Sequence, residues 1–178
     1  DIFKASNGLL YIATSSGLAV SRDDGETFEF KTVANGLGSN EIRDIYYKSS
    51  TNTLYVLNSA GLSISNDGGE SFSHKGVANG LNYIDSWTFR TLNVDTGPNI
   101  VISSSGGFFL STDNGNSFLF RQAPGHSFLS SALASGRHYL GSQIGLLVLS
   151  ENLQDLYQIP SPNDYLGWTF TGNNDFAI

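Results

Sequence analysis

A chain of 178 residues is long enough for one domain of ordinary size with its own apolar core. Its net charge of −7 argues against nucleic acid and anionic membrane as partners, because both are bound through basic surfaces. The sequence contains no Cys for a disulfide framework or thiolate site, and no apolar run is long enough to insert into a membrane.

The composition favours an exported protein. Only 14% of residues are charged, whereas Ser, Asn and the 20 Gly are frequent, which suits many short strands joined by tight turns. We therefore expect a secreted, cell-surface or periplasmic location. Met is absent even at position 1, so we also expect the sequence to begin at a processed end or inside a longer protein.

The apolar runs predict groups of short strands that recur roughly every 45 residues. The groups span 1–32, 41–76, 87–122 and 127–160, and a further group begins at 166–178. The predicted strands are, in chain order, 1–7, 9–14, 18–21, 27–32, 42–48, 53–58, 62–65, 71–75, 87–94, 100–104, 108–111, 117–121, 128–134, 138–141, 146–149, 156–159 and 167–172. A fixed period of this length is typical of a propeller or an array.

An eight-residue pattern, S-x-D-x-G-x-[ST]-F, joins the last two strands of the first three groups and is here called the repeat turn. Its copies begin at positions 21, 65 and 111, at spacings of 44 and 46 residues. The pattern predicts a hairpin turn in which Gly takes a positive φ and Asp accepts backbone hydrogen bonds. We expect the Phe to begin the returning strand and to be buried. The residues concerned are Ser21, Asp23, Gly25 and Phe28; Ser65, Asp67, Gly69 and Phe72; and Ser111, Asp113, Gly115 and Phe118.

These turns resemble Asp-boxes, also called BNR repeats, which occur in sialidases, sortilin-type receptors, xyloglucan-cleaving glycosidases and a photosystem II assembly factor. The resemblance implies an all-β fold, a β-propeller of four-stranded antiparallel blades, with four near-complete blades and the start of a fifth. In that family the Asp-box lies away from the active site, so it implies architecture rather than chemistry. A second pattern, Val-Ala-Asn-Gly-Leu at 33–37 and 77–81, resembles propeller repeats in the sensor domains of two-component regulators.

The fourth group has lost the repeat turn. Leu149, Glu151 and Leu153 stand where the pattern has Ser, Asp and Gly. Since a Leu at positive φ is strained, we expect a different turn there. Propellers normally close, because an open ring exposes strand edges, so the chain is a small ring of four or five blades or an arc of a larger ring. Both ends of the sequence fall inside the blade pattern, which favours the arc.

Three basic residues, Lys31, Lys75 and Arg121, occupy the same place on three outer strands. They form either a basic ladder for a ligand or a set of charges on exposed edge strands that blocks edge pairing. Lysine on edge strands is the usual device against edge pairing, and this favours the second interpretation.

The resemblance places ligands at the connections between blades and at the loops that join second and third strands. Two connections, 82–87 and 163–168, carry aromatic residues beside Asn and Asp, which can stack on and hydrogen-bond a sugar or a peptide. The alternative is that their Trp residues wedge between blades. The candidate ligand-binding residues are Arg43, Arg90, Tyr83, Asp85, Trp87, Tyr165 and Trp168.

Arg43 and Arg90 align at the start of two successive inner strands, where an arginine near a propeller axis can clamp a carboxylate. The alternative is an ion pair with a neighbour such as Asp44 or Asp85. The arrangement resembles the arginine cluster of sialidases only in outline. The third aligned position has no Arg, and neither an Arg-Ile-Pro segment nor a Tyr–Glu nucleophile pair is found, so sialidase chemistry is not expected.

The leading interpretation is a non-catalytic, exported propeller module that binds or scaffolds a protein or glycan through its inter-blade loops. One alternative is a fragment of a glycoside hydrolase, sialidase-like or glucanase-like, with Glu41, Asp85 and Asp164 as ligand-side carboxylates. Another is the sensor-domain propeller of a signalling receptor. No catalytic residue, metal or cofactor is predicted, because the three His are scattered, with His126 in a predicted ligand-side loop at 123–128.

Overall fold

The computed structural model of the chain describes residues 1–6, 8–82, 89–150, 153 and 156–160, except for the side chains at 124, 158 and 160. Among the described residues, 58% lie in strands and 4% in helices, and neighbouring strands pair antiparallel. The predicted all-β class with four-stranded antiparallel sheets is confirmed. No helix in the described part of the chain is long and apolar enough to cross a membrane.

The first two sheets each contain four strands in sequence order. The first comprises β1 (Ile2–Lys4), β2 (Leu10–Thr14), β3 (Gly17–Ser21) and β4 (Glu29–Lys31), and the second comprises β5 (Ile42–Lys48), β6 (Thr53–Asn58), β7 (Gly61–Ser65) and β8 (Ser73–Lys75). Their registers repeat, because Leu10 pairs with Ser21 in the first sheet and Leu54 pairs with Ser65 in the second. The two sheets are therefore copies of one structural unit.

The third sheet contains six strands that also lie side by side in sequence order. They are β9 (Phe89–Val94), β10 (Ile100–Ser111), β11 (Leu119–Ala134), β12 (Arg137–Ser142), β13 (Gly145–Leu149) and β14 (Leu156–Pro160). The first half of β10 pairs with β9 and its second half with β11, while the second half of β11 pairs with β12.

Two of these strands are longer than the sequence predicts. Gly106 and Gly125 lie between their halves at positive φ, a conformation that glycine adopts readily, so the backbone changes direction without ending the strand. The first correction is that predicted strands 100–104 and 108–111 form the single strand β10. The second is that predicted strands 117–121 and 128–134 are joined, through the predicted loop 123–128, into the single strand β11, which begins only at Leu119.

In each repeat turn, a Ser and an Asp organise the backbone. In the second copy the Ser65 hydroxyl donates to Asp67 Oδ1 at 2.6 Å and accepts from the Gly69 N–H at 2.8 Å. Asp67 also accepts from the backbone N–H and the hydroxyl of Ser71, at 3.1 and 2.5 Å. The first and third copies repeat these contacts. The hydrogen bonds expected of the Asp are thus present, and the Gly of each turn has a positive φ.

The Val-Ala-Asn-Gly-Leu segments tie each of the first two sheets to the next repeat turn. They form short 3-10 helices at Val33–Asn35 and Val77–Asn79. The Asn35 carbonyl accepts from the Phe72 N–H at 2.9 Å. Gly36 has a φ of +95°, and a Cβ there would collide with the Phe72 carbonyl oxygen, so this close approach requires glycine.

The Phe that closes each repeat turn is buried to different degrees. Phe118, whose N–H donates to the Asn79 carbonyl at 2.7 Å, is 8% exposed. Phe28 is 41% exposed, so the prediction that all three are buried is wrong. Phe72 and Phe118 donate their backbone N–H to Asn35 and Asn79 of the Val-Ala-Asn-Gly-Leu segments, and no such bond reaches Phe28 among the described residues. In all three copies the returning strand begins one residue after the Phe rather than at it.

Leu153 has a positive φ of +59°, as do the Gly residues at the aligned positions of the repeat turns. A Leu therefore does adopt the conformation that was expected to be avoided, whereas residues 151–152 and 154–155, which complete this turn, lie outside the described residues. The Leu153 side chain is buried in an apolar cluster with Leu149 and Phe128. Burial of a leucine contributes about 1.5–3 kcal/mol, which offsets a left-handed backbone cost of about 1–2 kcal/mol.

The apolar core lies between neighbouring sheets. Tyr11 and Leu54 are fully buried between the first and second sheets. Leu57 and Phe109 are buried between the second and third. Each sheet therefore packs a face against the next, as propeller blades do, and the first strands of the sheets, β1, β5 and β9, are left beside an open cleft.

Candidate functional site

A cleft of about 800 Å³, here called the inner cleft, runs along the first strands of the sheets. Its wall is formed by residues 1–3 beside and on β1, 43–46 on β5, 90–93 on β9 and 131–132 on β11. Side chains that are far apart in the sequence are therefore collected at one surface. Both arginines that the sequence singled out belong to it.

Arg43 and Arg90 line the inner cleft in different states. Arg43 is half-buried, and its Nη2 lies 2.9 Å from Glu41 Oε1. Arg90 is exposed and forms no hydrogen bond or ion pair with another described residue. A guanidinium that is held on a strand beside a cleft, without a carboxylate partner in the described chain, is available to an acidic group.

Asp44 joins two sheets at the inner cleft. It is 4% exposed, its Oδ1 accepts from the Ile45 N–H at 2.9 Å, and its Oδ2 accepts from the Leu92 N–H at 2.7 Å. The second bond crosses from β5 to β9. The sequence suggested Asp44 as an ion-pair partner of the arginines. The structure shows in addition that Asp44 bridges two sheets, and that Glu41 forms an ion pair with Arg43.

Hydroxyl groups make the next bridge around the inner cleft. Thr91 Oγ1 on β9 lies 2.6 Å from Ser131 Oγ on β11 and 2.6 Å from Ser103 Oγ on β10. All three residues are buried. Because each hydroxyl both donates and accepts, the cluster can satisfy itself without water, and it fixes β9 against β11.

Asn93 is a cleft residue that the sequence analysis missed. It is 8% exposed, and its Nδ2 has no hydrogen-bond partner among the described residues. A buried donor without a partner is costly, so such a group commonly marks the place of a water or a ligand. The available signal was the polar pair Thr91 and Asn93, two residues apart on a strand that also carries Arg90.

The remaining ligand candidates cannot be compared with the inner cleft. Tyr83, Asp85, Trp87, Tyr165 and Trp168 all lie outside the described residues. Of the seven candidates, the structure therefore locates two, Arg43 and Arg90, and brings both to one cleft.

Hydrogen bonds keep the carboxylates of the repeat turns ionised. The hydroxyl and the N–H of Thr27 are the main causes that lower the pKa of Asp23 to about 2. The Ser65 hydroxyl is the largest of several donors that hold the pKa of Asp67 well below its usual range. For Asp113, burial acts to raise the pKa, but hydrogen bonds within its turn outweigh burial and lower it. These groups act as structural acceptors and are unsuited to donate a proton at neutral pH.

Lys31 is buried rather than placed on an exposed edge. Its side chain is 3% exposed, and Nζ lies 2.7 Å from Glu29 Oε1 and 2.7 Å from Glu70 Oε2. Burial acts to lower the pKa of Lys31, but the two carboxylates outweigh burial and raise it. The edge-strand prediction is wrong for this residue, because Glu70 of the second repeat turn lies over β4.

His126 belongs to a strand, not to the predicted loop at 123–128. It is buried on β11, its Nδ1 lies 2.7 Å from Ser142 Oγ, and its ring stacks on Phe128 with centroids 5.6 Å apart. Burial lowers its pKa. Within the described ranges, no three His, Asp or Glu side chains converge as a metal site would require.

No family model matches the sequence, and no curated protein matches it. Solved structures do. An ancestral GH74 enzyme aligns with a TM-score of 0.73 at 19% identity, over 92% of this chain and 24% of that one. The extracellular domain of a protein described as a one component system from B. thetaiotaomicron aligns with a TM-score of 0.69 at 22% identity, over 89% of this chain and 22% of that one. YCF48 bound to D1 peptide aligns with a TM-score of 0.62 at 13% identity, over 88% and 51%.

These similarities concern the fold alone, because the identities are low. The matched structures are β-propeller proteins, so the chain has a β-propeller-like architecture. It spans about a quarter of the length of the first two structures and about half of the third.

Proposed function

We propose that the chain is an Asp-box propeller module of an exported protein, and that it binds or scaffolds a protein or glycan rather than catalysing a reaction. The observation that carries the proposal is the inner cleft, where an exposed Arg90 and a buried Asn93, both without side-chain partners among the described residues, line one space of about 800 Å³. A cleft with a few convergent polar groups is the usual form of a binding site. Its donors suit an acidic group on the partner.

The carboxylates of the cleft support binding rather than hydrolysis. Glycoside hydrolysis requires two carboxylates that face the sugar, one of which must donate a proton. Among the described residues that line the inner cleft, the carboxylates belong to Asp1 and Asp44. Asp1 Oδ1 accepts from the Ile2 N–H at 2.9 Å, and both oxygens of Asp44 accept backbone hydrogen bonds. Both oxygens of Asp44 are therefore committed to the backbone, whereas Asp1 is exposed and has one oxygen engaged.

The structural neighbours support export and partner binding. One is the extracellular domain of a protein described as a one component system, and another was solved with a bound peptide. We extend the binding surface from Arg43 and Arg90 to the connections that carry the aromatic candidates. In this proposal, Tyr83, Trp87, Tyr165 and Trp168 stack on the partner, and Asp85 accepts a hydrogen bond from it.

A binding screen with one matched pair of variants tests the proposal. The chain is applied to an array of acidic and neutral oligosaccharides and peptides, and hits are quantified by calorimetry with the wild type, Arg90→Ala and Arg137→Ala. Arg137 is an exposed arginine on β12 outside the inner cleft, so its loss changes the net charge equally. Loss of one charge-assisted contact should weaken an acidic ligand by about tenfold or more in Arg90→Ala alone.

Two results would refute the proposal. One is a ligand affinity that Arg90→Ala and Arg137→Ala leave equally unchanged. The other is turnover: release of reducing sugar from xyloglucan, β-glucan or a sialoside by the purified chain would establish a hydrolase, and the missing acid would then lie outside the described residues.

The sensor-domain alternative has one observation in its favour. The Val-Ala-Asn-Gly-Leu segments, whose pattern resembles sensor propellers, form the ties between sheets at Asn35 and Asn79. Sequencing the native gene beyond position 178 distinguishes this alternative, because a sensor propeller should continue toward a membrane-spanning helix. A module that ends in another binding domain would count against it.

A further inference from the structure

The repeat turns pack on the outer strand of the preceding sheet at two junctions, which share one plan. At the first junction, β4 meets the second repeat turn. Lys31 lies 2.7 Å from Glu70 and 2.7 Å from Glu29, and Arg22 pairs with the same Glu70. Two cations and two carboxylates thus form a continuous chain of ion pairs, and the Lys31 side chain is 3% exposed. The junction is filled by the protein's own charges.

At the second junction, β8 meets the third repeat turn with different side chains. The counterparts of Arg22, Glu29, Lys31 and Glu70 are Asn66, Ser73, Lys75 and Asn116. Both carboxylates have been replaced by neutral groups, one cation has been lost, and the lysine has been kept. The place of the ion-pair network is a cavity of about 410 Å³ lined by all four counterparts.

The cavity is rich in hydrogen-bond donors. Lys48 joins Lys75 in its lining, and Lys48 Nζ donates to the Gly97 carbonyl. Tyr55, which is 4% exposed, also lines it, and its hydroxyl forms no hydrogen bond within the described chain. Its counterpart in the first sheet, Tyr11, donates to Gly68 at 3.1 Å. No Asp or Glu lines the cavity, although the chain carries a net charge of −7.

We propose that this cavity, the junction pocket, binds a small carboxylate-bearing molecule of the size of a sugar acid or a tricarboxylic acid. The ligand's carboxylate takes the place that Glu70 occupies at the first junction, where the same backbone arrangement brings a carboxylate oxygen to 2.7 Å from the lysine Nζ. The volume exceeds what one carboxylate needs, so the rest of the molecule reaches the Asn, Ser and Tyr side chains. An ammonium pair favours a carboxylate over a neutral ligand.

The junction pocket is independent of the inner cleft. None of its lining residues lines the inner cleft. Binding at the junction pocket can therefore fail while the proposed function holds, and the reverse is also true, because each is tested with its own variants.

The test uses the full chain, calorimetry at constant ionic strength, and four probes: glucuronate, citrate, glucose and sulfate. The variants are Lys75→Met, Asn116→Glu and the matched control Lys4→Met, since Lys4 is exposed on β1 and lines neither site. The wild type should bind glucuronate or citrate but not glucose. Lys75→Met should weaken that affinity by about ten- to a hundredfold, and Lys4→Met should leave it unchanged.

Asn116→Glu is the sharper variant, because it restores the carboxylate that Glu70 supplies at the first junction. It should abolish carboxylate binding and raise the melting temperature together. It also keeps the test decisive if Lys75→Met does not fold. The two carboxylate probes distinguish the ligand class, sugar acid or tricarboxylic acid. The proposal is overturned if the wild type binds neither carboxylate, if both pocket variants bind like the wild type, or if sulfate binds as tightly as the carboxylates.

Discussion

Removing the carboxylate of Asp67 tests the physical role of the repeat turn. Asp67 accepts from the Ser65 hydroxyl at 2.6 Å, the Ser71 hydroxyl at 2.5 Å, and the backbone N–H groups of Glu70 and Ser71 at 3.1 Å each. Asp67→Ala removes all four acceptor contacts. A hydrogen bond to a charged group is worth about 1.5–3 kcal/mol, but Asp67 is exposed, and water replaces part of what is lost. We therefore expect a net destabilisation of about 1–3 kcal/mol.

Thermal and urea unfolding, followed by circular dichroism, measure this loss. For a domain of this size, each kcal/mol lowers the melting temperature by about 2–4 °C. The matched control is Glu26→Ala, which removes a carboxylate from an exposed position of the first repeat turn where the side chain makes no hydrogen bond to the described residues. If Asp67→Ala melts at the same temperature as Glu26→Ala, the hypothesis that the Asp stabilises the repeat turn by accepting hydrogen bonds is refuted.

The remaining predictions concern acid, a glycine and a buried lysine. Folding lowers the pKa of Asp67 below its reference value of 3.8, so its stabilisation is present above about pH 4 and is lost as pH falls through the folded-state pKa. Urea unfolding at about pH 6 and about pH 3 should show that the difference in free energy of unfolding between wild type and Asp67→Ala becomes smaller in acid. A difference that stays constant would contradict this prediction. Gly36→Ala should destabilise the protein by more than about 2 kcal/mol, because the new Cβ collides with the Phe72 carbonyl oxygen in addition to the cost of a positive φ. The control Gly8→Ala, at φ +88° with no atom within 4 Å of the new Cβ, should cost only about 1 kcal/mol. Equal melting temperatures of the two variants would contradict the close approach of Gly36 to Phe72. Lys31→Met should lower the free energy of unfolding by about 1–2 kcal/mol, since the carboxylates of Glu29 and Glu70 are half-exposed and can be rehydrated. Lys75→Met, compared by urea unfolding, should lower it by less than about 0.5 kcal/mol. Equal losses of stability would mean that the ion pairs at Lys31 do not stabilise the fold.

The repeat turns were predictable because every contact that defines them is local. A Ser, an Asp and a Gly within five residues satisfy each other, and the pattern S-x-D-x-G specifies those contacts directly. The exposure of Phe28 was not predictable in the same way, because it depends on whether a distant connection packs over the turn. The fusion of predicted strands into β10 and β11 likewise follows from pairing between halves of different strands, which periodicity along the sequence does not record.

The inner cleft was predictable in part. Arg43 and Arg90 could be placed together, because their positions align in a repeat and aligned residues of successive first strands meet around a common cleft. The missing hydrogen-bond partner of Asn93 Nδ2 could not be predicted, because it depends on which acceptors of the neighbouring described strands lie within reach. Glu41 lies in the connection before β5, as the sequence predicts, but its ion pair with Arg43 was not among the predicted pairings.

The comparison of the two junctions shows where specificity can arise in a repetitive fold. The backbone contacts are repeated. The Asn35 carbonyl accepts from the Phe72 N–H at 2.9 Å, and the Asn79 carbonyl accepts from the Phe118 N–H at 2.7 Å, so the same main-chain hydrogen bond positions both junctions. Because the backbone does not need the side-chain charges for its position, those charges are free to differ from repeat to repeat. At the first junction they neutralise one another, and at the second an equivalent lysine is left facing a cavity. In such a fold, the positions that break the repeat are therefore better candidates for ligand binding than the positions that define it.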